Sequence, residues 1–196
     1  MKKLILLTAV SILIGFNVQC QETFKISPEK STIEWLGEKV TGAHSGYINL
    51  QSAFFIFEDE KFVGGEFNID MNSIKCTDIE NRTYASKLEE HLKNPDFFNC
   101  SKYPTSNFKI SNIIFDGTSY MITGNITIKE ITQEITFPAK FENDGDIFHA
   151  NATLKIDRTK HDIKYGSGSF FDDLGDRMIY DEFTLKIHLQ GSKAKD

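Results

Sequence analysis

Three cysteines in 196 residues are too few for a disulfide-stapled scaffold. No C-x-x-C pair occurs, which removes the thioredoxin-type redox motif and the paired knuckles of a zinc ribbon. The chain also lacks G-x-S-x-G, H-E-x-x-H and a phosphate-cradling glycine loop, so the common hydrolase, metalloprotease and nucleotide-binding signatures are absent. Basic residues are outnumbered, 22 against 28 acidic, and form no block. A net charge of −6 repels polyanions and leaves no electrostatic footprint for nucleic acid or anionic lipid. Tryptophan occurs once, against 17 phenylalanines, so large apolar area is supplied mostly without polar tips.

A long hydrophobic run is missing as well. The longest, Leu4–Phe16, has 13 residues, where a membrane span needs about 20. Preceded by Lys2-Lys3 and followed by Val18-Gln19-Cys20, it reads as a secretory signal over residues 1–20, cut after Cys20. The alternative is a lipoprotein signal in which Cys20 is kept and lipidated, although Gln19 stands where Gly, Ala or Ser is usual. Either way the chain is exported, to the periplasm or the exterior. What remains is long enough for one domain with a sizeable core. In an oxidising compartment Cys76 and Cys100 could form one bridge; two separate buried thiols fit equally well.

Alternation with period two fills most of the chain. Phe67, Ile69 and Met71 share one face, as do Ile122, Gly124, Ile126 and Ile128. Ile131, Ile135, Phe137, Ala139 and Phe141 follow the same rule, with Thr, Glu and Lys between them. Phe148, Ala150, Ala152, Leu154 and Ile156 form another set, and Ile179, Phe183, Leu185, Ile187 and Leu189 a last one. Further strands are expected at Thr23–Ile26, Thr32–Gly37, Gly46–Phe57 and Tyr103–Phe115, with turns at Asp116-Gly117 and Asn143–Asp146. The pattern predicts eight or nine long antiparallel strands. Long consecutive hairpins favour a barrel, which removes sheet edges; a two-sheet sandwich would satisfy the same alternation. One segment differs. Tyr84, Leu88 and Leu92 recur at helical spacing, and Asn94-Pro95 starts a further turn carrying Phe97 and Phe98.

Candidates for chemistry are few. His149 and His188 alternate with inward residues and should face out. His44, His91 and His161 could converge on a metal, but no close-spaced pair supports it; His44 is expected to be buried and hydrogen-bonded near the barrel mouth. Asp157-Arg158 reads as a loop tether before a catalytic pair, and Tyr165–Phe170 (YGSGSF) as a flexible loop before a phosphate site. The inward faces mix Phe and Ile with Gly124, Ala139, Ala150 and Ala152. An eight-stranded barrel can be filled by side chains or hold one small ligand, and composition leaves both open.

The pieces KVTGAHSGYINL, EFNIDMNSI, HLKNPDFFNCSKYPTSNFKI, GNITIKEITQEITFPAKF and KIDRTKHDIKYG occur in this order between Phe24 and Leu189. Together they resemble the YceI-like family of secreted, lipocalin-like, polyisoprenoid-binding proteins. Two features depart from that pattern: Glu130 follows Lys129 where glycine is usual, and the Cys76/Cys100 pair is not general. The resemblance implies an all-β fold, an extended antiparallel eight-stranded lipocalin-like barrel with a short helical segment packed near one side. It makes residues 21–196 one lipid-binding domain. It implies no catalytic residue, no metal and no cofactor beyond a bound long-chain lipid, an isoprenoid, an isoprenoid quinone or a similar amphiphile.

On that reading Phe67, Ile69, Ile126, Ile128, Phe137, Ala139, Phe148, Ala150, Phe183 and Leu185 line the pocket, and Leu88, Leu92, Phe97 and Phe98 cover it. Membrane contact is transient unless Cys20 is lipidated. Two other functions stay in view: a hydrolytic or metal-assisted enzyme using His44, His91 or His161, and a filled barrel that binds protein on its outer face.

Overall fold

The structure is a computed structural model that describes residues 21–59, 61–144 and 147–193. The expected leader, with Cys20, lies outside the described residues, as does part of the Asn143–Asp146 turn. Nine strands and one α-helix occur among the described residues: β1 Gln21–Ile26, β2 Thr32–Lys39, β3 Gly42–Glu58, β4 Lys61–Cys76, α1 Arg82–Lys93, β5 Thr105–Phe115, β6 Tyr120–Ile128, β7 Ile131–Asp144, β8 Ile147–Asp157 and β9 Ile179–Lys193.

All pair antiparallel in chain order, and the ring closes because β2 and β9 pair, with Trp35 opposite Leu185. β1 and β2 share one position in the ring. Both lie between β3 and β9, and the turn Pro28–Lys30 separates them. Nine segments therefore make an eight-stranded closed barrel, with no free edge in the ring. β3 and β4 have 17 and 16 residues, far above the usual 5 or 6, and register shifts between Tyr47 and Asn49 and between Leu50 and Ser52 let the pair curl.

Lys129 and Glu130 make a two-residue hairpin turn without glycine. Both hold left-handed backbone, φ 52° and 62°, while Ile128 pairs with Ile131. This is the twist-matched turn that normally selects Asn-Gly. Lys129 Nζ also donates to the Asp162 carbonyl at 3.0 Å, fixing the turn to the β8–β9 connection.

α1 lies where β4 runs on past its last pairing with β5 at Asp70. Asn81 caps it, its side-chain oxygen accepting from Thr83 N at 2.9 Å. Its inner stripe differs from the expected one. Tyr84 is 62% exposed, whereas Ala85 and Glu89 are buried. Glu89, 4% exposed, accepts from the backbone N of Cys76 at 3.0 Å and pairs with Lys75 and Arg82, each at 3.1 Å. Burial works against ionising this carboxyl, but those three donors outweigh it and hold its pKa below the ordinary value.

Two outcomes are expected. Glu130→Gly removes the strain of an L-residue at φ 62° and should raise stability by about 0.5–1 kcal/mol, read by thermal unfolding. Glu89→Ala removes the charge that three donors share and should cost about 2–3 kcal/mol. Because the native Glu89 pKa is lowered, this contribution is present above the ordinary carboxyl range and lost as pH falls through the native value. Denaturant titrations of both proteins should therefore converge toward low pH.

Candidate functional site

The barrel interior is filled at one end only. Around the β3–β4 hairpin Phe55, 2% exposed, meets Phe62, Phe67, Phe141 and Phe148 with ring centroids 5.0, 5.3, 5.7 and 4.9 Å away. Phe24, Phe57 and Tyr120 extend this cluster. Tilted and edge-on pairs of this kind fill volume tightly. Gly65 belongs to the same packing, since a Cβ there would fall 2.7 Å from the Phe54 carbonyl oxygen and 3.1 Å from the Phe55 ring. Gly124 also makes room for a ring and not for a ligand: a Cβ there would stand 2.5 Å from Phe108.

Toward the other end the inward residues are more mixed, Ala, Ile and Leu standing among Trp35, Phe137 and Phe183, and they enclose a cavity of about 400 Å³. That is within the range of small-molecule sites, roughly 300–1,000 Å³. Ala150, Ala152, Leu154 and Ile156 of β8 all border it, a run of about 20 Å at strand rise, so it is elongated. Phe67 and Ile69 come from β4, Ile126 and Ile128 from β6, Phe137 and Ala139 from β7, and Phe183 and Leu185 from β9. Many inward side chains, Ile69, Phe183 and Leu185 among them, are only half-buried, because they border space and not neighbours. Leu88 and Leu92 of α1 and Phe97 and Phe98 of the following turn cover the cavity. Phe148 alone of the expected set stands off this wall. It packs in the aromatic cluster, against Phe55, Phe57 and Phe141. Ring density, not alternation, decides which inward residues touch the cavity, and alternation alone could not separate them.

Polar groups gather at the rim. Arg158, 2% exposed, donates to the carbonyls of Ile163 at 2.7 Å, Ile179 at 3.0 Å and Tyr180 at 3.1 Å. Burial pulls its pKa down, opposed by Asp181 and Asp157. It is thus a loop tether bordering the cavity; Asp157 turns away to cap the next residues through Thr159. His91 also borders the cavity. Its Nε2 is buried without a hydrogen-bond partner among the described residues, with Asp96 Oδ2 3.8 Å away. Exposed Glu38, Lys39 and Glu182 mark the side where β2 and β9 reach solvent.

A YceI-like domain model matches residues 24–191. The chain belongs to the YceI-like family. A UPF0312 protein of Pseudomonas aeruginosa is 34% identical over 123 residues, covering 58% of this chain and 64% of that protein, so the match spans under two thirds of that relative. A UPF0312 protein of Pectobacterium atrosepticum is 30% identical over 167 residues, covering 79% of this chain and 84% of its own. Burkholderia cenocepacia BcnA superposes with a TM-score of 0.67 at 23% identity, over 84% of this chain and 98% of that one. A polyisoprenoid binding domain from Saccharophagus degradans gives 0.63 at 8% identity, over 87% and 98%. At such identities the structural likenesses show the fold.

Within this YceI-like barrel the cysteines do not bridge. Both are buried and free: Cys76 donates to Asp78 Oδ1 at 3.2 Å and Cys100 to the Met71 carbonyl at 3.3 Å. Each thiol already has its own acceptor, so the disulfide weighed from the sequence is replaced by two thiols. Burial raises the pKa of both, with Asp78 adding to the rise at Cys76. The three histidines do not converge either. His161 is buried against the Ile131 carbonyl at 3.0 Å, and burial lowers its pKa. His91 packs on Tyr165 and Phe97. His44 bonds Asp78 at 2.9 Å at the rim, as expected, but its side chain is 39% exposed and not buried. His149 and His188 stack on each other, centroids 5.7 Å apart. The segment Tyr165–Phe170 is bonded, not loose: Ile179 N donates to Gly166 O at 2.8 Å, with Gly166 at φ 62°.

Sequence reasoning passed over Trp35, which borders the cavity while its indole N–H donates to the Lys75 carbonyl at 3.1 Å. Its place between polar Glu34 and apolar Leu36 gave no hint. Arg158→Met should strand three carbonyls and Asp181, costing about 3 kcal/mol or more and speeding amide exchange at Ile163 and Ile179 while β5–β7 stay protected.

Proposed function

We propose that the protein binds and carries, without making or breaking bonds, one long-chain apolar lipid, an isoprenoid or isoprenoid quinone being the class that suits it. The observation that carries this is the elongated apolar cavity of about 400 Å³, closed by rings at one end and covered by α1 at the other. Each methylene buried there contributes about 0.8 kcal/mol, from which ordering of the tail and loss of free motion are subtracted. The wall is almost wholly apolar, so discrimination falls on the tail's width and length. The tail's end rests against the Phe55 cluster and its polar head stays at the rim, near His91 and Lys39. The polyisoprenoid binding domain of similar fold supports the class of ligand.

In the same reading Lys2-Lys3 and Leu4–Phe16 export the chain to the periplasm or exterior, and contact with a membrane is brief unless Cys20 carries lipid. The acidic balance suits a protein that does not adhere to anionic surfaces.

Native mass spectrometry with solvent extraction tests this, reporting guest mass, stoichiometry and the N-terminus together. Trp35, the single tryptophan, borders the cavity and should change its emission when a quinone-headed isoprenoid is titrated in. Ala152 is half-buried on the wall, so Ala152→Phe has space to enter the cavity at a stability cost of about 1–3 kcal/mol. The variant should fold, lose the guest and lose the Trp35 response. Wild-type protein with neither extractable lipid nor a Trp35 response would refute the proposal.

A further inference from the structure

At the rim of the cavity, which His44 itself borders, one nitrogen, one sulfur and one carboxylate converge. The Nδ1 or Nε2 of His44, the Sγ of Cys76 and an oxygen of Asp78 all lie within 4.8 Å of one another. Among the described residues this is the one group of three such donors. From this geometry we infer that the protein has a divalent transition-metal site, zinc foremost, held by His44, Cys76 and Asp78.

The backbone builds the site. Gly46 lets β3 approach β4 so closely that a Cβ would stand 1.8 Å from the Lys75 carbonyl oxygen. Gly46 pairs with Cys76, and Thr77 N donates to the Ser45 carbonyl at 3.0 Å, so the chain after β4 is held against His44–Gly46. Ser45 N donates to Asp78 Oδ1 at 3.0 Å and fixes the carboxylate. A carboxylate held by a backbone N–H is the kind of outer support that metal ligands have. Lys75 and Arg82 are both engaged by Glu89, which keeps two nearby cations from Asp78.

The distances suit an ion. Zinc takes sulfur at about 2.3 Å and nitrogen or oxygen at about 2.0–2.2 Å, so tetrahedral ligands stand roughly 3.3–3.7 Å apart. Here Sγ is 3.2 Å from Asp78 Oδ1 and Nδ1 is 2.9 Å from Oδ2, the two donors touch opposite oxygens of the carboxylate, and all three ligand atoms lie within 4.8 Å, so a turn of the partly exposed His44 and Asp78 side chains is needed to bring them round one ion. Besides the Ser45 N–H, Asp78 now accepts from a thiol and an imidazole N–H. A dication replaces both bonds: the thiol gives its proton to solvent, His44 binds as neutral imidazole, and Asp78 stays ionised. The S, N, O set is borderline-soft, which favours zinc, cobalt(II) or nickel over magnesium or calcium. His44 and Asp78 are both partly exposed, 39% and 32% at the side chain, which leaves the fourth position to water. The sequence hides this trio, because His44 is 32 residues from Cys76 and is brought near it only by the β3–β4 register, in which Gly46 pairs with Cys76.

Chelator-treated protein, titrated with zinc against a chromophoric competitor, should bind one ion per chain. Cobalt(II) should bind at the same stoichiometry and show a thiolate-to-cobalt charge-transfer band. Cys76→Ser should abolish the band while Cys100→Ser retains it; His44→Ala and Asp78→Asn should each weaken binding about tenfold or more. His44 and Asp78 are partly exposed, so those two variants decide the matter if Cys76→Ser fails to fold. Absence of stoichiometric binding, a cobalt complex without the thiolate band, or affinity unchanged in His44→Ala and Asp78→Asn would overturn the assignment and leave the trio a hydrogen-bonded turn.

Discussion

Closure of the barrel is the constraint from which the rest follows. Once β2 and β9 pair, every strand has both neighbours, and the inward side chains must share a fixed volume. The sharing is uneven along the axis. Eight rings crowd the end that holds the β3–β4 and β5–β6 hairpins, while toward α1 Ala, Ile and Leu stand among fewer rings. Dense packing at one end makes the fold self-sufficient there; sparse packing at the other leaves wall residues without partner atoms on one side.

The two ends are held by different forces. Around Phe55 the interaction is contact between rings, mostly edge-on, which fills volume closely. Around the cavity that force is weak, and directed bonds take its place. Glu89 joins α1 to β4 through a backbone N–H, and Arg158 joins the β8–β9 connection to the start of β9 through the carbonyls of Ile163, Ile179 and Tyr180. Both ions are almost fully buried, and both have their hydrogen bonds filled, which is the condition under which a buried charge is tolerable. A cover fixed by a few specific bonds can also be released as a unit, whereas interdigitated rings cannot.

The fold was largely legible in the sequence because a half-buried strand writes its own period. Ile126 to Phe141 shows it, and even the glycine-free Lys129-Glu130 turn was visible as a break in the alternation. The candidate wall was legible for the same reason, since inward-facing is a property of parity. Whether an inward residue meets space or a neighbour is a property of the opposite wall, and parity is silent on that. Phe148 was misplaced on this ground, and Gly124, which left a filled or a hollow interior equally open, serves Phe108. Helical spacing misled at Tyr84, because the burial of Glu89 depends on donors from β4 that no helix pattern contains. The free thiols were undecidable for a similar reason: each acceptor lies in tertiary space, and one of them, the Met71 carbonyl, is backbone.

A hollow half-barrel has a thermodynamic consequence of its own. The wall residues forgo dispersion contacts that a solid core would have, so the cavity end is intrinsically the less stable end. Any apolar guest restores those contacts and, binding only the folded chain, stabilises it by mass action. Leu92, Phe97 and Phe98 border the cavity, so part of that gain would fall on α1 and the turn after it. The aromatic cluster, already packed ring on ring, would gain least and form the floor of the cavity.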